Sequence, residues 1–238
     1  MDLKDKVAII SGASRGIGRA VALLLAQHGM RIVLVARNEH ELQSLQQEIH
    51  AQGGKAISVA ASVTEESGVQ QVVGATMSVF GRIDVLVNNA GMGIFKKVED
   101  ISAEDWDIVM GVNAKGTFLL SKAVLPHLKT AGQGFIVNIA SDVSRRTFAN
   151  GSLYCASKFA QDAFASALRK EVRPFGIKVS VIYPGLTDTY FNGTEQGEER
   201  KKDWLRAEDI AEAVWYVLNA PRHVVVDELM IHPISQEY

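Results

Sequence analysis

Apolar residues along this chain fall into two alternating patterns. Short runs rich in Val, Ile and Ala recur at 6–10, 31–36, 55–60, 83–89, 134–140, 178–184 and 223–231. They are short enough, and apolar enough on both faces, to be buried strands. Between them, apolar positions repeat at helical spacing over 16–28, 38–52, 65–80, 102–128, 154–174 and 207–219. Strand and helix therefore alternate throughout. That order predicts a doubly wound α/β fold: a seven-stranded parallel sheet with helices on both faces, joined by right-handed crossovers. No internal repeat, low-complexity tract or Pro/Gly linker divides the chain, so residues 1–238 read as a single domain.

One segment breaks the pattern. From Leu186 to Trp204 the sequence LTDTYFNGTEQGEERKKDW loses apolar periodicity between a strand and a helix. Over about 186–206 it reads as a loop or short lid bordering a substrate site, with a long surface connection as the plainer alternative.

Composition narrows the function classes. Hydrophobic residues make up 47% of the chain, enough for a sizeable core, and acids and bases nearly balance at a net charge of −2. Without a long like-charge block, nothing points to nucleic acid or a membrane surface as partner. The opening MDLKDKVAII mixes charges with too short an apolar run for a signal peptide, and no stretch reads as a membrane span. The expectation is a cytoplasmic protein. The single cysteine, Cys155, agrees with a reducing compartment. With no histidine near it in sequence, it reads as a helix-packing residue rather than a nucleophile.

Candidate chemistry begins after the first strand, at SGASRGIGRA. Gly12 allows a tight turn, Gly16 lets the backbone approach a pyrophosphate, and Gly18 lets the following helix pack closely on the sheet. Ser14, Arg15 and Ile17 lie between them, and the helix N-terminus supplies free N–H groups. The second strand ends LVARNE, where Ala36 occupies the place of the acid that accepts the ribose hydroxyls of NAD, and Arg37 follows. Arg15 and Arg37 together suit the 2′-phosphate of NADP(H), the alternative being two solvated surface arginines. Farther on, NGSLYCASKFAQ places Tyr154 four residues before Lys158, one turn apart on a helix. Taken alone, that pair is open between chemistry and chance.

The glycine loop, NNAG at 88–91 and YCASK at 154–158, in that order and at those places relative to the strands, resemble the short-chain dehydrogenase/reductase family over essentially the whole chain. The resemblance implies a Rossmann fold and a catalytic set of Asn113 in MGVNAKGTF, Ser141 in IVNIASD, Tyr154 and Lys158. Ser141 stands thirteen residues before Tyr154, the family spacing. In that reading Ser141 donates to the substrate oxygen and Tyr154 exchanges its proton. Lys158 favours phenolate and binds the nicotinamide ribose, and Asn113 holds a water linking Lys158 to solvent. Asn89, Ala90 and Gly91 line the cofactor. Pro184, Gly185, Thr187 and Thr189 border the nicotinamide, Thr187 where an aliphatic residue is common. Ser62 and Val63 lie by the adenine, Ser62 where many relatives carry an aspartate.

The implied activity is NADP(H)-dependent exchange of hydride between the nicotinamide and a small carbonyl compound or secondary alcohol. A 3-oxoacyl-[acyl-carrier-protein] reductase is the alternative, with Lys129, Arg169, Lys170 and Arg173 as a docking patch for an acidic carrier. A non-catalytic NADP(H)-sensing protein is the remote one. Apolar positions Phe118, Leu119 and Ala123, and Phe159, Ala163, Phe164, Ala167 and Leu168, match two helices that pair across a two-fold axis in the family. A homodimer or homotetramer is expected.

Overall fold

The computed structural model describes residues 3–237. Its principal sheet is built from β1 (Val7–Ser11), β2 (Arg31–Ala36), β3 (Lys55–Ala60), β4 (Val85–Asn88), β5 (Gly134–Ile139), β6 (Ile177–Pro184) and an edge strand near the C-terminus, β9 (Glu228–Ile231). The seven strands are parallel in the order β3-β2-β1-β4-β5-β6-β9. Helices α1 (Gly16–Gln27), α2 (Glu39–Ala51) and α7 (Ala207–Leu218) pack on one face. On the other lie α3 (Glu66–Phe80), α5 (Gly116–Ala131) and α6 (Ser152–Val172), with α4 (Ala103–Met110) leading into α5.

Strand alternation divides the core into two halves. Ala8 and Ile10 of β1, with Ile32 and Leu34 of β2, meet Leu25, Leu42, Ile49, Ile210 and Val214. Val7, Ile9, Val33 and Val35 point the opposite way, onto Val72, Leu120, Val124, Leu128 and Leu168. Each such side chain contributes about 1.5–3 kcal/mol by leaving water. Central strands are therefore apolar on both faces.

Between β1 and β4 the order of connection reverses: the chain runs outward from β1 to β3, then crosses back to β4 on the other side of β1. A crevice opens at the carboxyl ends of the strands there.

Four local features depart from the sequence reading. The helix expected over 102–128 is two helices joined by a π turn at Gly111–Lys115, where the Gly116 N–H bonds to Gly111 O. A Ser102–Asp105 capping box starts the first of them. The run Ala103–Ala131 also has the length and apolarity of a membrane span. It is a core element all the same, because Leu119, Leu120, Val124 and Leu128 are buried against the sheet. The last strand begins at Glu228 rather than at 223, since Lys178 Nζ takes Val224 O (2.5 Å) and Pro221 O (2.8 Å) in place of a ladder.

Finally, the polar stretch after β6 carries two short parallel strands, β7 (Thr187–Asp188) and β8 (Leu205–Arg206). Lys201 is buried beneath the loop they bracket, bonding Thr189 O at 2.9 Å, Thr194 Oγ1 at 2.8 Å and the Glu195 carbonyl. The side chains of Asp188 and Glu198 lie 3.5 Å from the same ammonium. The loop thus folds around a polar centre, a device that hydrophobic periodicity does not register.

Candidate active site

The crevice is a cleft of about 2000 Å³. One end is made by the loop between β1 and α1. Gly12 adopts a φ of +65°, and a Cβ there would come 2.9 Å from Ala90 Cα. Asn89 braces the loop, its Nδ2 donating to Ser11 O at 3.0 Å and Gly12 O at 3.1 Å. Ser11 Oγ in turn accepts the Asn89 and Ala90 N–H groups, both at 3.0 Å. The NNAG segment therefore fixes the shape of the glycine loop, while Asn88 bonds Ser121 and Asn138 inside the sheet.

Gly12, Ser14, Arg15, Gly16, Ile17, Arg37, Ser62, Val63, Asn89, Ala90 and Gly91 line this part of the cleft. Gly18 does not: it is buried behind the loop, where a side chain would collide with Gly12 O. Arg15 and Arg37 are exposed, and Arg15 lies 5.7 Å from the Tyr190 ring centre. Glu41 also lines this end. The Ser62 hydroxyl is engaged locally, 2.8 Å from Thr64 Oγ1.

At the other end, β5 delivers Ser141 and α6 delivers Tyr154 and Lys158. All three are buried and line the cleft. Ser141 Oγ faces the Tyr154 hydroxyl, its own proton going to Asp142 Oδ1. Burial raises the Tyr154 pKa above its usual value, the Ser141 hydroxyl opposes that rise, and the charge of Asp142 adds to it.

Lys158 Nζ donates to Ile139 O at 3.1 Å and to Gln161 Oε1 at 3.0 Å. It lies 5.9 Å from the Tyr154 ring centre. Burial lowers its pKa to about 7. The expected pull of Lys158 on the tyrosine is thus not what sets Tyr154 here, because desolvation acts on both groups and dominates.

Asn113 sits in the π turn, fully buried and outside the cleft lining. Its side chain accepts from Met92 N at 2.9 Å and donates to Met92 O and Ser157 Oγ, both at 2.8 Å. Ser157 Oγ then bonds Tyr154 O at 2.7 Å. The π turn aims one amide so that it ties the loop segment after β4 to the helix bearing Tyr154. A chain of bonds also runs from Lys158 through Gln161 and Thr117 Oγ1 (3.0 Å) to the Asn113 carbonyl (2.8 Å).

Pro184, Gly185, Thr187 and Thr189 form the facing wall. Thr187 Oγ1 donates to Gly185 O at 2.9 Å, and Thr189 Oγ1 accepts the Phe191 N–H at 3.2 Å.

Sequence reasoning missed two glutamines. Gln161 is buried against Lys158, and its place three residues along the same helix was the one available signal. Gln236, near the C-terminus, donates to Asp142 Oδ2 and accepts the Leu186 N–H, both at 2.7 Å. It joins the residue after Ser141 to the start of the lid. Arg146 and His232 also face Asp142, and Ser141 donates to its Oδ1 at 3.1 Å. Nothing local in sequence marks Gln236. Cys155 is buried, and burial raises its pKa, as suits packing rather than nucleophilic attack.

Of the two apolar helix stripes, Leu119 and Leu168 are buried in the sheet-facing core. Phe118 and Phe159, each 42% exposed, lie on the outer side with Ala163 and Ala167, and Phe118 meets Phe164 edge-on.

Comparison with known proteins agrees with this geometry. The family model for short chain dehydrogenases matches residues 6–200. An uncharacterized oxidoreductase of Staphylococcus epidermidis is 40% identical over 98% of this chain and 99% of its own. An alcohol dehydrogenase from the archaeon Thermococcus sibiricus, complexed with 5-hydroxy-NADP, superposes with a TM-score of 0.93 at 36% identity, covering 98% of both chains. A 3-ketoacyl-(acyl-carrier-protein) reductase from Brucella melitensis, complexed with NADH, gives 0.89 at 30% identity, again over 98% of both. The chain belongs to the short-chain dehydrogenase/reductase family of oxidoreductases.

Proposed function

We propose that this protein is an NADP(H)-dependent oxidoreductase acting on a carbonyl compound or its secondary alcohol, with Tyr154 as acid and base. The observation that carries the reading is the pair of neighbouring hydroxyls, Ser141 and Tyr154, buried at one end of a cleft whose other end is a glycine loop flanked by Arg15 and Arg37. The braced loop leaves room for a pyrophosphate against the α1 N-terminus. The two guanidinium groups, without an ion-pair partner among the described residues, suit a 2′-phosphate. The nicotinamide supplies or accepts the hydride.

Ser141 donates to the substrate oxygen, stabilising charge as it develops. Tyr154 gives that oxygen its proton in reduction and takes it back in oxidation. Lys158, one turn along α6, holds the ribose and supplies positive charge when protonated. Asn113 fixes the backbone around Tyr154 and orders a water on the Lys158 side.

A carrier-protein thioester remains the second reading, favoured by the likeness to the Brucella melitensis reductase. Its basic docking patch is only partly available. Arg169 is turned onto Val179 O at 2.9 Å and toward Asp227 at 3.3 Å, and Lys129 lies 4.3 Å from the Phe175 ring centre. The outer face around Phe118 and Phe159 supports self-association in a cytoplasmic setting, to be read by sedimentation.

Tyr154→Phe tests the central claim. Turnover of every ketone that the wild type reduces is expected to fall at least about a thousandfold, with NADPH affinity kept. Retained activity would refute the mechanism.

A further inference from the structure

The two hydroxyls at the chemical end of the cleft sit among aromatic rings from three separate segments. Phe95, in the irregular segment after β4, meets the Tyr154 ring edge-on, with centroids 5.4 Å apart and planes at 84°. Phe191, in the lid, lies 5.5 Å from Tyr154 at 54°. Phe148, from the loop between β5 and α6, lies 5.7 Å from Phe95. All three line the cleft, and Phe148 keeps 45% of its surface uncovered. None belongs to the hydrogen-bonded machinery described above.

The floor under these rings is cut to fit them. Gly93 is buried beneath, and a Cβ there would come 2.9 Å from Phe95 Cζ and 3.1 Å from Phe191 Cζ. Val143 is buried against the same group of rings.

The charged side chains nearest these rings are paired rather than free. Asp142, the carboxylate beside Ser141, is bonded by Arg146 and Gln236. Arg200 of the lid pairs with Glu198 at 2.6 Å. A substrate carboxylate or phosphate entering beside Phe95 and Phe148 would leave water without a cation released to meet it. A substrate hydroxyl would fare little better against ring faces. A flat apolar group, by contrast, can pack on the ring surface that these residues leave open to the cleft.

We propose that the substrate is a neutral ketone or aldehyde bearing an aryl group next to the carbonyl, the aryl group packing on the uncovered face of Phe148 and on the cleft-lining edges of Phe95 and Phe191. The proposal rests on the reductase reading and narrows it. In the step, the carbonyl carbon gains the hydride of the reduced nicotinamide and the C=O π pair moves to oxygen. Oxygen then takes the Tyr154 proton, giving the alcohol while the nicotinamide is oxidised.

The test compares 2,2,2-trifluoroacetophenone with 1,1,1-trifluoroacetone, equally activated ketones that differ by phenyl for methyl. An acetoacetyl thioester is the third substrate. Two readouts are taken: kcat/KM with the wild type, and calorimetric binding of each ketone to Tyr154→Phe protein saturated with NADPH. The phenyl ketone is expected to exceed the methyl ketone at least about tenfold in both. Phe95→Ala and Phe148→Ala should each shrink that ratio about threefold or more, with NADPH affinity unchanged as the check on folding. Equal ratios for the two ketones, a ratio indifferent to both variants, or a preference for the thioester would overturn the aryl site while leaving a reductase. Ring-dependent binding of the phenyl ketone without turnover of any carbonyl would instead support the aryl site and overturn the reductase reading.

Discussion

Lys158 donates to Gln161 Oε1 at 3.0 Å, so its Nζ is held by a neutral amide from its own helix, with no carboxylate in ion-pair range among the described residues. Gln161 is itself anchored by Thr117, which makes it a positioning residue for Lys158. Gln161→Leu should lower kcat/KM about tenfold or more, the cost of a lost bond to a charged group. Gln161→Glu places a carboxylate there and should raise the Lys158 pKa. The alkaline limb that Lys158 contributes to the pH profile should then move upward, a shift that a purely structural role would not produce.

Burial of Lys158 also ties stability to pH. Its pKa is about 7 in the folded protein against 10.5 when exposed. Between those values the unfolded chain holds a proton that the folded one lacks, so this group's contribution becomes more favourable to folding as pH rises from 7 toward 10. Tyr154 acts oppositely and only above pH 10, where its raised pKa makes folding lose ground as pH climbs. In cofactor-free protein, the stability difference between wild type and Lys158→Met should therefore shift toward the wild type by roughly 1 kcal/mol per pH unit over 7–10. Urea denaturation at three pH values measures it, and a constant difference would refute the depressed pKa.

Arg37 is exposed at the cleft end to which we assign the proposed 2′-phosphate. Arg37→Asp should weaken NADPH at least about tenfold and leave NADH equal or tighter, because a carboxylate there repels phosphate and accepts ribose hydroxyls. Titration of both cofactors by fluorescence decides, and an unchanged ratio would remove the NADP(H) assignment.

Gln236 bridges Asp142 and Leu186 across the substrate side of the cleft. Gln236→Leu leaves both partners short of a bond. The expected result is a five- to fiftyfold loss of kcat/KM through a higher KM, with NADPH affinity and thermal midpoint nearly unchanged. Equal loss in kcat and midpoint would mark a merely structural contact.

The sheet was legible because central strands apolar on both faces leave runs such as Ile32–Val35 that few other elements produce. Ser141, Tyr154 and Lys158 were legible only through the family resemblance and its spacing, and a strand end and a helix start bring the three to one cleft. The π turn was not, since one extra residue barely disturbs a 3.6-residue period over a long helix. Gln161, Gln236 and Lys201 were hidden for another reason. A polar side chain carries no mark in sequence of whether its bonds go to water or to the protein: Gln161 and Gln236 reach Thr117 and Asp142 across the fold, and Lys201 reaches carbonyls that the lid's own turns bring inward.

The β7–β8 pair has a consequence for how new specificities arise. Thr187 pairs with Leu205 and Asp188 with Arg206, so the chain leaves the core and returns to it through one fastened port. Closing a longer or shorter excursion from such a port costs little, because closure entropy grows only with the logarithm of length. The interior of that excursion, Phe191 included, can be exchanged as a cassette, and the hydride-transfer chemistry beneath it stays where β5 and α6 hold it.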